Sequence, residues 1–344
     1  MGMKSTSKRV TLGMIAERAE VSRATVSRAL RNHPQLPRRT CERIQKIAEA
    51  MGWRPDPETS RLMHYLRETR NHRIECTLAI LNDYPQRKDL YQDPYTDALL
   101  KHARARAEVL GYQVDEIWLR EPGLTAKRAT AILRARGISG VLIPPEVDPL
   151  PELKLDWSLF SAVATTTTAQ PASMNRVLPD NYGNLRMLMD ALMKRQAKRI
   201  WLLSMRGLEA RTECCPSNVY HAYAAQVPGL TTLPVFYWDD YACGDDAAVA
   251  MIDLYEAHKP DTVLVADRWL LETLERRTGT QAGQTYFAAC FSNAGEGLPG
   301  IDQRPELVGA AAVDLLSAHI IRGEAGLPEV PKLLRIPGRL VGDF

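Results

Sequence analysis

The most definite chemistry in this sequence lies in a run of six positions: Arg23, Ala24, Thr25, Ser27 and Arg28, with Val26 among them. On a helix those five share an outward face, while Val26, Ala29 and Leu30 turn inward. Small side chains let a helix approach closely, hydroxyls meet phosphate oxygens, and an Arg fork takes both acceptors of a guanine edge. Such a face suits the major groove of DNA. No other part of the chain offers a constellation of comparable definition. There is no G-x-G-x-x-G after a strand, no P-loop and no G-x-S-x-G, so nucleotide-dependent and hydrolase chemistry lack their cradles. Seven His (33, 64, 72, 102, 221, 258, 319) are dispersed, with no H-x-x-x-H pair to hold a metal. Six Cys (41, 76, 214, 215, 243, 290) show no CxxC; the vicinal pair Cys214-Cys215 is their one unusual feature. The expectation is a non-enzyme with no catalytic residue, no metal and no cofactor.

Short helices must hold the Arg23–Arg28 face. Thr11 can cap the first of them, whose Leu12, Ile15, Ala16 and Ala19 form one apolar stripe. Glu20-Val21 is the turn, and Ser22 caps the second helix. Beyond it, Cys41, Ile44, Ile47, Ala48 and Met51 share one face of a third helix, which Gly52 can end in the left-handed conformation. The plain alternative is a helical hairpin with a solvated basic face. A third helix weighs against it, because three helices can bury a common core.

Charge separates this head from the rest. The chain of 344 residues carries a net charge of only +3, yet residues 1–75 hold 16 Lys/Arg against 8 Asp/Glu, and the remainder 28 against 33. A basic head on an acidic body points to a polyanion as the head's partner. Hydrophobic content of 45% suffices for a large core. No apolar run is long enough to span a membrane, the N-terminus is too polar for a signal peptide, and scattered thiols fit a reducing compartment, so a cytoplasmic location is expected.

From Cys76 onward the pattern alternates. Strands are expected at 77–81, 112–119, 141–143, 160–164, 199–204, 233–238, 262–266 and 285–290. Helices are expected from an Asp93 cap with Pro94 to Leu110, then at 125–136, 182–195, 217–227, 245–258, 269–278 and 305–322. Alternation implies parallel sheets with helices on both faces, and about ten strands are too many for one sheet, so two lobes follow. The fold class is an all-α helix-turn-helix head plus an α/β two-lobed body. Ligands of such sheets sit beyond the carboxyl ends of the strands. The candidates there are Asn82, Tyr84, Tyr95, Asp180, Asn218, Asp267, Trp269 and Gln303, with Tyr91 and Tyr220 nearby in sequence. Amides and carboxylates take paired hydroxyls and rings stack on C–H faces, which suits a neutral saccharide. No heptad follows the last helix, so a zipper-built tetramer has no support.

The first 70 or so residues resemble the DNA-binding head of the LacI/GalR family of bacterial repressors. The matching words are Val10-Thr11-Leu12, Ile15-Ala16, Val21-Ser22, Ala24-Thr25-Val26-Ser27-Arg28, His33-Pro34, Ala48-Glu49 and Gly52-Trp53-Arg54-Pro55. Weaker matches in the body are Asp180-Asn181-Tyr182-Gly183, Ala197-Lys198-Arg199-Ile200 and Asp302-Gln303-Arg304-Pro305. The resemblance implies a head at 1–57, a hinge helix and linker at 58–75, and a periplasmic-binding-protein-like effector and dimerisation domain at 76–344. Its lobes would be 76–192 plus 303–330, and 193–302 plus 331–344, joined by three crossovers. It also implies a homodimer on a palindromic double-stranded operator, controlled by a small-molecule effector. Arg23, Ala24 and Arg28 would face bases. Thr11, Leu12, Ser22, Thr25, Ser27, Arg31 and His33 would hold phosphates or groove edges. Leu62 of the hinge would wedge between central base pairs and kink the duplex. Several positions depart from the family. Arg31 stands where Asn is usual, and Ser217, Asn218 and Val219 stand where a ligand-clasping Arg is common. Asp267-Arg268 replaces Asn-Asp, and Cys290-Phe291-Ser292-Asn293 replaces Gly-Phe-Asp-Asp. Two alternatives therefore stand beside the main expectation: a regulator whose body has lost its ligand, and a cytoplasmic carbohydrate-binding protein with an incidental helical head.

Overall fold

The computed structural model describes residues 10–30, 36–53, 76–145, 155–239, 245–266, 268–278, 285–292 and 297–344. At its N-terminal end stand three helices: α1 (Leu12–Ala19), α2 (Arg23–Ala29) and α3 (Arg38–Ala50). Ile15, Ala16, Ala19, Val26, Ala29, Cys41, Ile44 and Ala48 form their buried core, edged by Leu12, Leu30, Ile47, Met51 and Trp53. The expected stripes are thus the inward faces. α1 ends because Glu20 turns left-handed (φ 54°), which lets Val21 N–H reach the Ala16 carbonyl at 3.0 Å. Gly52 (φ 74°) ends α3 the same way, with Trp53 N–H on the Ala48 carbonyl at 3.0 Å.

The body opens with β1 (Cys76–Asn82), α4 (Pro94–Val109), β2 (Tyr112–Trp118), α5 (Ala126–Ala135), β3 (Ile138–Ile143), β4 (Ser161–Ala164) and β5 (Asn175–Pro179). Asp93 caps α4 by accepting from Thr96 N–H at 2.9 Å, with Pro94 in the first turn, and Thr125 caps α5 through Arg128 N–H at 3.2 Å. The chain continues through α6 (Asn181–Lys194), β6 (Arg199–Met205), α7 (Arg206–Arg211), α8 (Cys215–Gln226), β7 (Thr231–Thr232) and β8 (Phe236–Trp238). Then come α9 (Asp245–His258), β9 (Thr262–Val265), α10 (Arg268–Thr278), β10 (Tyr286–Ser292), β11 (Gly300–Asp302), α11 (Pro305–Arg322), β12 (Leu333–Ile336) and β13 (Arg339–Val341).

These strands form two sheets. The first, in the order β12-β5-β4-β3-β1-β2, is parallel throughout. α4 and α11 cover one face, and the core around Leu133, Trp157 and Phe160 covers the other. α11 lies so close to α4 that a Cβ on Gly309 would sit 2.1 Å from the Leu99 carbonyl oxygen; only glycine fits there. The second sheet, β13-β11-β10-β9-β6-β7 with β8 also on β6, is parallel except where β13 runs against β11. Its two faces carry the cores around Trp201 and Trp238, and around Leu188 and Tyr220.

The chain crosses between the lobes three times: between β5 and α6, between β11 and α11, and between β12 and β13. Two expected lobe limits move accordingly. Residues 181–192 belong to the second lobe, because Leu185, Leu188, Met189 and Leu192 of α6 pack on Ile200, Leu202 and Val219. Residues 333–336 return to the first lobe, because β12 pairs with β5. The second crossover lies between Asp302 and Pro305. Six of the described elements stand outside the expected list: β5, β7, β11, β12, β13 and α7, each six residues or fewer.

Candidate nucleic-acid interface and interlobe cleft

Two hydroxyl caps fix the head's outward face. Thr11 Oγ1 accepts from Met14 N–H at 3.4 Å, and Ser22 Oγ accepts from Thr25 N–H at 3.1 Å while lying 2.8 Å from Thr25 Oγ1. α3 locks the other ends of both helices. Arg43 donates to the Ala19 carbonyl at 3.2 Å, and Gln45 to the Ala29 carbonyl at 3.0 Å. Orphan carbonyls of α1 and α2 are thereby satisfied from one rigid element. Sequence reasoning missed both locks, since a side chain reaching another helix leaves no periodic signal. Thr11, Ser22, Arg23 and Arg28 are exposed, and Thr25 and Ser27 half-buried, on the surface away from Val26 and Ala29. Leu12 is half-buried, and its side chain packs against the head's core as its place in the apolar stripe implies. The side chain of Ala24, and Arg31, His33 and Leu62, lie outside the described residues.

In the body the expected ligand residues fare differently. Asn82 is fully buried; its amide donates to Arg87 O at 2.8 Å and Glu116 Oε1 at 3.0 Å, and its Oδ1 accepts from Tyr84 N–H at 3.0 Å. It builds the loop after β1 with both amide hydrogens engaged. Burial pushes the Glu116 carboxyl up, but hydrogen bonds from Tyr91, Asn82 and Arg87 outweigh that and hold it below the usual range. Tyr84 is buried in the first lobe's core, and its carbonyl accepts from Trp118 Nε1 at 2.9 Å. The ring of Tyr95 packs on the same core. Its hydroxyl is buried with no partner among the described residues, and burial pushes the phenol above its ordinary range. Tyr220 is also core: its hydroxyl lies 2.6 Å from the Ile200 carbonyl and 2.9 Å from that of Leu233. Asn218 is exposed on the first turn of α8, 3.5 Å from Glu213 O. Asp267 and the side chain of Trp269 lie outside the described residues.

Asp180 and Gln303 do come together, at the crossovers, where they lace chain to chain. Gln303 donates to Asn181 Oδ1 at 2.9 Å, tying the first crossover to the second. Asp302, 1% exposed, accepts from Arg339 at 3.0 and 2.9 Å and from Arg304 N–H at 2.9 Å, tying the second to the third. Gly338 N–H donates to Asn184 Oδ1 at 2.7 Å, and Arg335 stands 3.8 Å from Asp180 Oδ1, tying the third to the first. Asp180 itself caps α6 through Gly183 N–H at 3.2 Å. This triangle ties the three crossovers to one another. Farther into the cleft, Thr167 Oγ1 donates across the lobes to Arg211 O at 2.6 Å. Its loop is braced by Arg176, whose guanidinium reaches the carbonyls of Thr166, Ala169, Ala172 and Met174. Burial pulls the pKa of Arg176 down, which the Glu213 carboxylate opposes.

At the end of β6 the buried Glu209 accepts from Ser204 Oγ at 2.6 Å and Ser217 Oγ at 2.9 Å. Where an arginine was the family expectation, Ser217 is therefore engaged and Val219 is core. Cys215 lies near this carboxylate, and burial followed by Glu209 pushes its thiol up to about 11. That shift favours the protonated thiol of Cys215. None of the described helices is long and apolar enough to cross a membrane.

Residues 11–56 match the family described as bacterial regulatory proteins, lacI family. No curated protein sequence matches the chain. Among solved structures, the chain is similar to the lac repressor dimer bound to operator and the anti-inducer ONPF, at 18% identity and TM-score 0.55, covering 97% of this chain and 98% of that one. A LacI transcriptional regulator from Lactobacillus brevis shares 16% identity at TM-score 0.57 over 77% of this chain and 100% of its own. The transcriptional regulator CelR in complex with cellobiose shares 20% identity at TM-score 0.55, covering 97% and 99%. The head matches the lacI family of bacterial regulatory proteins over residues 11–56, and the body has the fold of the solved structures of such regulators.

Proposed function

We propose that the chain is a cytoplasmic repressor that binds a near-palindromic operator as a homodimer and responds to a small ligand, a saccharide, held between the lobes. The observation that carries this reading is the outward face of α2. It presents Arg23, Thr25, Ser27 and Arg28 from a hydroxyl-capped helix whose other side is sealed in a three-helix core. In this reading Arg23, Ala24 and Arg28 meet base edges in the major groove. Thr11, Ser22, Thr25, Ser27, Arg31, His33 and the backbone of Leu12 meet phosphates and groove edges, and Leu62 wedges the central step. Two-fold symmetry of the dimer requires two half-sites. The laced crossovers are the hinge. A ligand that binds one lobe arrangement better than the other shifts the spacing of the two heads. CelR, a structural neighbour, was solved with cellobiose, which supports a saccharide here.

The test is selection of bound duplexes from a random pool at two salt concentrations. A near-palindromic consensus with a specific component that survives added salt is expected. Equal, purely ionic affinity for every duplex overturns the reading. A regulator with a ligand-free cleft is the second reading, favoured by the engagement of Asn82, Asp180 and Gln303 with their own neighbours. A thermal-shift screen with saccharides, amino acids and nucleosides separates the two: a shift with a sugar supports the first, and no shift by any compound supports the second.

A further inference from the structure

We infer that Gly13, a residue with no side chain of its own to offer DNA, sets the base preference of this regulator by seating the guanidinium of Arg23. The inference rests on the reading of α2 as the recognition helix. Gly13 is the second residue of α1. A Cβ built on it would lie 3.0 Å from a terminal guanidinium nitrogen of Arg23, 3.1 Å from its Nε and 3.3 Å from its Cζ. Arg23 opens α2 immediately after the Ser22 cap, so its side chain runs back over the N-terminal turn of α1 and the guanidinium rests on the bare Gly13 backbone. Elsewhere in the chain, close-packed glycines such as Gly309 and Gly300 meet rigid backbone; Gly13 meets the working end of an exposed side chain.

Glycine inside a helix destabilises it relative to alanine, so α1 gains nothing in stability from this choice. The open space is what it provides. The helix N-terminus beneath carries partial positive charge and does not attract a cation, so the contact is a seat without an electrostatic latch. A guanine edge, with two acceptors, can draw the fork outward along one path set by that seat. A side chain at position 13 would occupy the seat and turn the guanidinium aside. Alanine requires the neighbour to give by only a few tenths of an ångström, which a flexible arginine does readily; leucine fills the volume.

The experiment is duplex selection and titration with the full-length chain, comparing Arg23→Ala, Gly13→Ala, Gly13→Leu and the double variant Arg23→Ala/Gly13→Leu. Alanine and leucine are better helix formers than glycine, so the variants keep the head folded, and a thermal melt checks this. In the parent, one base pair of each half-site depends on Arg23. Gly13→Leu is expected to lower discrimination at that same base pair about tenfold, with non-specific affinity and the other positions unchanged. Gly13→Ala should produce a smaller loss at the same position. In the Arg23→Ala background, Gly13→Leu should have no further effect on base choice. An unchanged preference in Gly13→Leu overturns the inference alone, as does a loss that persists undiminished without Arg23. If Arg23→Ala itself leaves every base preference intact, the reading of α2 fails and this inference with it.

Discussion

Polar side chains at the head and at the crossovers are arranged in opposite ways. The exposed Arg23 and Arg28 of α2 project from a head whose shape is fixed by other residues: two hydroxyl caps, the buried core, and the Arg43 and Gln45 locks. At the crossovers the polar groups are themselves the fixing residues. Asp302, Arg339, Gln303, Asn181, Asn184 and Gly338 bind one another across sequence separations that exceed one hundred residues in two of the three ties. The difference teaches where change is tolerated. A recognition face can be altered one residue at a time without unfolding its support, so specificity is free to vary. A laced set of crossovers loses several partners when one member goes.

The largest effect is therefore expected at the lace. Arg339→Ala leaves the carboxylate of Asp302 buried with Arg304 N–H as its remaining described partner. Removing one member of a buried pair costs about 3–5 kcal/mol, and the 60% exposure of the Arg339 side chain brings the expected loss to about 2–3 kcal/mol. Urea unfolding followed by the emission of the buried Trp201 and Trp238 measures it. A change below about 0.5 kcal/mol would mean that the crossovers hold without the lace, and the contrast with the head would dissolve.

Arg28→Ala tests the other side. Its side chain is exposed, so the melting of the head should not move. Specific affinity should fall by about 1–3 kcal/mol and base choice should blur at one position of each half-site. Competition binding with single-base operator variants separates this from loss of a phosphate contact, which would weaken all sequences equally. A uniform loss would reassign Arg28 to the backbone and leave Arg23 as the base-facing cation. Ser22→Ala comes next, removing the acceptor that holds Thr25 N–H. The expected cost is about 1 kcal/mol of head stability, read as an earlier thermal transition of the head, with weaker DNA binding at every sequence.

The same contrast explains what the sequence revealed. Helical periodicity marked Ile15, Ala16, Val26, Ala29, Ile44 and Ala48, and the three-helix core is built from them. The caps Thr11, Ser22 and Asp93 were legible because capping is local, decided within three residues. Cleft chemistry was not legible. Asn82 and Gln303 stand at the strand ends where ligands bind, yet tertiary partners engage both, and nothing local in the sequence announces Arg87, Glu116 or Asn181 as those partners. Motifs around Asp180 and Gln303 marked positions that the structure places at the crossovers, capping α6 and tying one crossover to another. Short strands such as β7 and β11, of two and three residues, carry too few side chains for a period of two to register. The lobe boundary failed for a related reason. α6 follows β5 in sequence but packs on β6, and hydrophobic spacing tells which face of a helix is buried, not against which sheet.

The smallest effect expected here has the opposite sign. Glu20 sits left-handed between α1 and α2, at φ 54° and ψ 44°, where a side chain with a Cβ is strained by about 1 kcal/mol. It is exposed and lies on the turn that brings the two helices together. Glycine removes the strain but adds freedom to the unfolded chain, which returns part of the gain. Glu20→Gly should therefore stabilise the head by about 0.5 kcal/mol, a rise of about 3 °C in the melting of so small a unit. Where the turn faces the duplex, glycine also removes a carboxylate near phosphate, so affinity for DNA should rise, and most at low salt, where the repulsion is least screened. Melting and binding thus report two separate consequences of one residue. A higher melting temperature without tighter binding would mean that the turn faces away from the duplex. A lower melting temperature would mean that the glutamate side chain stabilises the turn by more than its backbone strains it, and the head would then share the body's habit of fixing its shape with polar groups.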